Sequence, residues 1–295
     1  MSRTSDRMTV TTSARVVAMA LGVLALICGG ARAAQPVASV RLYAIDCGRI
    51  DFTDMGLLSD TGEYDGRRGS LVDPCFLVRH PRGTLLWDTG LGDARVGHDS
   101  APNSAGVSLH VGRRLLDQLA LAGIVPADIT FIAFSHLHLD HTGNANEFVA
   151  AIWILNKAEL DWALGTPTPA LVDPATFRAY RSARTRMIGG DYDVFGDGTV
   201  RILAAPGHTP GHQVLQLRLA RAGTVLLSGD LYHLRADRPH GGHSGRVAVG
   251  NTDRAQSLAS MDRIEAILRN THGRLVIQHD PQDFRALPRF PAYLD

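Results

Sequence analysis

The stretch SHLHLDHTGN, residues 135–144, places His136, His138, Asp140 and His141 within six positions. Neutral imidazole offers a divalent ion a nitrogen lone pair, and a carboxylate offers oxygen. Three more residues of the same chemistry follow: His208 in PGHTPGH, Asp230 in SGD and His279 in QHD. A lone histidine is ordinarily a surface residue and a lone aspartate a turn residue, so the order and spacing of the set carry the reading. Five histidines and two aspartates can hold two ions if one carboxylate bridges them, with positions left open for water. That is the logic of a two-metal hydrolase site. Within PGHTPGH, His208 is the expected ligand, and His212 opens the next strand.

Each of these residues follows an apolar run. DITFIAFSH (128–136) reads as a buried strand entering the histidine turn, and TVRILAA (199–205), GTVLLSGD (223–230) and RLVIQHD (274–280) read as strands before His208, Asp230 and His279. Ligand sites gather on loops at such strand ends. VRLYAI (40–45), CFLVRH (75–80), TLLWDTG (84–90), AAIWILN (150–156) and HQVLQLRLA (212–220) are further strands. GRRLLDQLALAG (112–123) and KAELDWAL (157–164) have helical spacing, and a helix is expected late in the proline-bearing stretch 166–185. TDRAQSLASMDRIEAILRN (252–270) reads as an amphipathic helix with Leu258, Met261, Ile264, Ile267 and Leu268 inward. Strand and helix runs in both halves point to two sheets packed between helices.

The chain has 295 residues, 45% hydrophobic and 20% charged, with 30 Lys+Arg against 29 Asp+Glu. That is globular composition, with no basic surplus to suit nucleic acid or an anionic membrane. Arg3, Arg7 and Arg15 precede the apolar run VVAMALGVLALIC (16–28), too short for a comfortable span, and ARA (31–33) supplies small residues for a cut after Ala33. Residues 1–33 are thus expected to be a cleaved signal peptide and 34–295 a single domain, exported to the periplasm or secreted. Ile27 before Cys28 speaks against a lipoprotein. After cleavage Cys47 and Cys75 remain, either as one disulfide in an oxidising compartment or as two buried thiols.

Taken together, the HxHxDH motif, LLWDTG, PGHTPGH, SGD and QHD resemble the metallo-β-lactamase-fold hydrolase superfamily over nearly all of residues 40–285. The fold this implies is α+β and four-layered, the αββα sandwich of two pseudo-symmetric halves. The resemblance implies that His136, His138 and His208 hold one metal, that Asp140, His141 and His279 hold the other, that Asp230 bridges, and that Asp88 stands behind the ligands. The opening segment 43–93, HTPGHQVLQL and the tail from Ser260 to Phe284 are similar to the N-acyl homoserine lactonase-like branch. Two divalent ions, zinc by default, would then share a hydroxide that attacks the carbonyl of a small-molecule lactone or ester, with Asp140 shuttling the proton. Lactonases of that branch carry a tyrosine three residues after the bridging aspartate; here that position is His233 and the tyrosine is Tyr232, so either is a candidate for contact with substrate.

Three other readings stay open: an exported phosphotriesterase of the methyl-parathion-hydrolase kind, a β-lactamase-like hydrolase, and a non-enzymatic metal-binding protein. A homodimer is also left open. Residues 59–70 are expected to form a mobile flap, and 93–108 and 233–246, the latter with His240 and His243, the other loops around the mouth.

Overall fold

The computed structural model describes residues 1–2, 37–238 and 251–295. The signal-peptide reading, Cys28, His240 and His243 lie outside the described residues. No helix among the described residues is long and apolar enough to cross a membrane.

The chain first builds a long hairpin, β1 (Arg41–Phe52) and β2 (Gly69–His80), then β3 (Gly83–Trp87) and the short edge strand β4 (Val107–His110). Helix α1 (Leu115–Leu121) leads to β5 (Phe131–Ala133), the one-turn α2 (Leu139–Thr142), β6 (Ile152–Asn156), α3 (Lys157–Ala163) and β7 (Arg184–Ile188). The remaining elements are β8 (Tyr192–Asp193), β9 (Val200–Ala204), β10 (Gln213–Leu219), β11 (Gly223–Leu227), α4 (Arg254–Thr271), β12 (Arg274–Val276) and α5 (Pro281–Arg285). Seven strands pair in the order β4-β1-β2-β3-β5-β6-β7, and five in the order β12-β11-β10-β9-β8.

Side chains alternate across each strand, so every inner strand has one face for each neighbouring layer. Leu42, Phe76, Leu85, Trp87 and Ile154 of the larger sheet meet Ile202, Leu215, Leu217, Val225 and Leu227 of the smaller between the two sheets. The opposite face of the larger sheet, with Ile45, Leu77, Leu86, Ile132 and Trp153, packs on Leu115 and Leu119 of α1 and Leu160 and Ala163 of α3. The outer face of the smaller sheet, with Leu203, Val214, Leu226 and Leu275, packs on Met261, Ile264 and Leu268 of α4. The four layers are therefore helix, sheet, sheet, helix.

Local chemistry sets the helix ends. Asp253 caps α4 by accepting from Gln256 N, and His272 ends it in the left-handed region at φ 49. Asn156 accepts from Ala158 N and Glu159 N at the start of α3, and Asp280 with Pro281 starts α5. Within α4, Leu258 and Ile267 are only partly buried, while Ser257 and Ser260 are buried with the apolar stripe.

Some expectations are revised. The helix expected late in 166–185 is a single 3-10 turn at Arg178–Arg181, too short and arginine-rich to bury an apolar stripe. The expected strands 223–230 and 274–280 stop at Leu227 and Val276, where the chain turns to form the site. β7 has four exposed residues of five, so it carries no apolar pattern to betray it. Of the segment 59–70, Ser59 and Tyr64 are buried, most of the rest is exposed turn, and β2 already begins at Gly69. Cys47 and Cys75 are joined by a disulfide, Cα–Cα 5.8 Å, where β1 bulges between Asp46 and Arg49 against β2.

Candidate metal centre

The loops leaving the C-terminal ends of β5, β9, β11 and β12 bring seven donors together. His136, His138, His208 and Asp230 have ligand atoms within 4.8 Å of one another, and so do Asp140, His141 and His279. His138 Nδ1 lies 2.9 Å from His136 Nε2 and 3.2 Å from His208 Nε2. Asp230 Oδ2 lies 3.4 Å from His208 Nε2 and 3.8 Å from His136 Nε2. Asp230 Oδ1 faces the second group, 3.0 Å from His279 Nε2 and 3.3 Å from His141 Nε2. Asp140 Oδ2 lies 3.7 Å from His141 Nε2 and 3.9 Å from His279 Nε2.

These spacings fit ions. Around a metal with bonds of about 2.0–2.1 Å, neighbouring donors sit roughly 3 Å apart. Asp230 Oδ1 is buried and faces the Nε2 atoms of His279 and His141, so it calls for a positive partner: a bound cation, or a proton on those rings when no ion is held. Burial, and then the neighbouring imidazoles, hold His136 and His138 well below the usual histidine pKa, and burial brings His208 down to about 4. Their lone pairs are thus free at neutral pH. Burial also opposes charge on His141 and His279. The carboxylates overcome it: Asp140, Asp88 and Asp230 hold His141 well above its usual value, and Asp230 first among them brings His279 up to about 9. Burial likewise opposes charge on Asp230, but His279, His136 and His141 hold it well below the carboxylate range.

Four of the five imidazoles, those of His136, His141, His208 and His279, are oriented through their other nitrogen. His141 Nδ1 lies 3.1 Å from Asp88 Oδ2, and His279 Nδ1 donates to Val72 O at 2.7 Å. His208 Nδ1 bonds Asn251 Oδ1 at 2.9 Å, and His136 Nδ1 bonds Ser135 Oγ at 3.0 Å. Asp88 sits at φ 57, a strained position for a non-glycine residue, held by donors Ser135 N and Gln278 Nε2. Gln278 Oε1 also accepts from Trp87 Nε1 and Gly229 N, tying the Asp230 turn to β3. A Cβ on Gly229, at φ 51, would lie 2.5 Å from His212 Nε2, so glycine is required there.

His208 points into the donor set as expected, and His212 does something else. Its Nδ1 donates to Ala205 O and its Nε2 accepts from Asp230 N, so it braces Asp230. Tyr232 is the correction. Its side chain is buried among Leu231, Met261 and Ile264 behind the sheet, and its hydroxyl meets Glu265 at 3.4 Å, away from the donors. Successive residues of an extended segment face opposite ways, so His233 takes the inward place: its Nε2 lies 3.2 Å from Asp230 Oδ2. Asn251 and Gln278 as supports were not foreseen, because an amide carries no chemical signature until its partners are known.

Above the donors opens a cavity of about 440 Å³. Asp140, His138, His208, Asp230, His233 and His279 form its floor, and Ile50, Phe52, Leu57, Leu58, Val107, Leu109, Trp162 and Leu171 its walls. No lysine or arginine lines it among the described residues.

The model of the metallo-beta-lactamase superfamily matches residues 71–278. N-acyl homoserine lactonase AttM of Azorhizobium caulinodans is 27% identical over 268 residues, covering 87% of this chain and 99% of the relative. N-acyl homoserine lactonase AiiA of Bacillus thuringiensis subsp. kurstaki is 26% identical over 260 residues, 86% of this chain and 98% of the relative. A solved N-acyl homoserine lactone hydrolase with N-hexanoyl-L-homoserine at its catalytic metal center superposes with TM-score 0.74 at 25% identity, over 86% of this chain and 98% of that one.

Proposed function

The chain belongs to the metallo-beta-lactamase superfamily, and we propose that it is a dinuclear metal-dependent hydrolase that opens N-acyl homoserine lactones, with related esters as secondary substrates. One observation carries the reading: a single carboxylate, Asp230, turns one oxygen to each of two donor groups on the floor of an apolar cavity. His136, His138 and His208 would hold one ion, Asp140, His141 and His279 the other, with Asp230 shared. Bound there, the pair supplies an activated water nucleophile and polarises the ester carbonyl.

The chain's own residues do the rest. Asp140, at the edge of the cavity with its side chain 16% exposed, takes the proton of the nucleophile and returns it to the leaving alkoxide. His233 directs Nε2 toward the reacting position and serves the substrate carbonyl in the place where related lactonases have tyrosine. Ile50, Phe52, Val107 and Leu109 receive an apolar acyl chain and exclude water. Zinc is the proposed metal, because the donor set is all imidazole and carboxylate.

Export is part of the proposal. The basic and apolar residues before Ala33 and the Cys47–Cys75 disulfide both suit an oxidising compartment outside the cytoplasm. Amino-terminal sequencing of the protein recovered from periplasm or medium is expected to begin at Ala34.

The activity is tested by assaying the mature chain, with metal analysis, on acyl homoserine lactones, aryl esters, a paraoxon-type triester and nitrocefin. Lactone turnover with about two equivalents of metal is expected. Preference for the triester or nitrocefin, or a protein that takes up no metal, would overturn the assignment.

A further inference from the structure

Glu159 belongs to neither donor group, yet it is buried at 3% exposure. Its Oε1 accepts the N–H of Leu137 at 2.8 Å and its Oε2 the N–H of Gly211 at 2.9 Å. Leu137 lies between His136 and His138, and Gly211 lies three residues beyond His208. The first loop leaves β5 of the larger sheet and the second leaves β9 of the smaller. One carboxylate thus spans the two sheets at the point where three imidazoles must converge.

The surroundings are built for this contact. Asn156 accepts from Glu159 N and fixes the residue in the first turn of α3, which is anchored through Leu160 and Ala163. A Cβ on Gly211 would lie 2.5 Å from both Glu159 Cβ and Glu159 N and 2.7 Å from Asn156 Oδ1, so only glycine lets the loop come this close. Burial opposes the charge on Glu159; the Thr209 side chain, the two peptide N–H groups and, more weakly, the charge of His141 work against that cost.

We propose that Glu159 is a positioning residue for the metal centre: its two oxygens set the separation of the loops carrying His136, His138 and His208, and the affinity of that donor set for its ion depends on them. The inference rests on reading those imidazoles as metal ligands. Glu159→Gln keeps the length but turns an N–H₂ toward one of the two N–H groups. Glu159→Asp keeps the charge but is too short to reach both.

The test titrates metal-free parent and variants with cobalt(II) and zinc(II), following stoichiometry, affinity and the cobalt visible spectrum. In Glu159→Gln one of the two equivalents is expected to bind at least about tenfold more weakly while the other is unchanged, and the visible band of the weakened site to shift. Glu159→Asp is expected to fall between. Parent-like affinity for both equivalents in either variant overturns the proposal. So does equal weakening of both, or failure of both variants to fold in saturating zinc, because the carboxylate would then serve the fold rather than one site. A parent that itself binds fewer than two equivalents instead defeats the dinuclear reading.

Discussion

Replacing Asp230 by Asn leaves one oxygen where two are used and puts an N–H₂ against an imidazole that must stay a ligand. Metal content of Asp230→Asn is expected to fall from two to one or fewer, with kcat/KM down by about 10³ or more. Full occupancy with normal turnover would sink the bridging role. Its neighbours separate cleanly. His233→Ala is expected to lower kcat by roughly 10–100-fold at unchanged metal content, whereas Tyr232→Phe, whose hydroxyl faces Glu265, leaves kinetics within about twofold. The reverse ranking would return the tyrosine to the site. Proton linkage is also a matter of single side chains. In the metal-free protein His279 is held up to about 9, so it carries a proton at pH 7, and the carboxylates hold His141 above its usual value as well. A metal takes only the neutral ring, so binding at that group is expected to release at least about one proton at pH 7. The sign follows: apparent affinity rises with pH up to about 9 and falls below it. Calorimetric titration in buffers of different ionisation enthalpy counts the protons, and none released would contradict the assignment.

Among the elements, the β1–β2 hairpin is the one held covalently. The disulfide closes a sequence separation of 28 residues at the β1 bulge, and the Gly90 turn, next to Asp88 and Thr89, packs on it. Thr89 N and Oγ1 both donate to His141 O, so this turn also steadies a donor loop. Cys47→Ser with Cys75→Ser is expected to cost about 3 kcal/mol by removing the constraint on the unfolded chain. Denaturant melts of oxidised parent and double variant measure this, and a difference near zero would show the bond to be incidental. Helix α4 lies behind the smaller sheet and steadies the His208 turn, through Asn251, Thr252 and Asp253 before it and through its own Ser257, which accepts from Asn251 Nδ2, and Ser260, which donates to Pro206 O. Elements whose work is packing were legible along the chain, since α4 and the core strands show their apolar period. The edge strands β4, β7 and β8 were not, because half-exposed strands bury too little to carry one.

For the molecule as a whole, the donors join loops from both sheets, so binding of ions is coupled to global stability. Removing metal with a chelator is expected to lower Tm by roughly 10 °C, the effect of about 4 kcal/mol of site occupancy on a domain of this size. An unchanged melt after verified metal loss would mean the ions are not held by the folded state. The amino-acid sequence on its own determined which chemistry is present and which residues supply it: HxHxDH, PGHTPGH, SGD and QHD name the seven donors, and the strand runs before them name the layers, because residue type and period are local properties. Only the tertiary structure decided that His212 braces Asp230 instead of facing the donors, that His233 rather than Tyr232 reaches the cavity, that the two cysteines meet, and that Glu159 clamps two loops. Each of those depends on where a side chain points once segments as far as 52 positions apart are brought into contact, and that direction is set by the packing of the two sheets, not by any pattern along the chain.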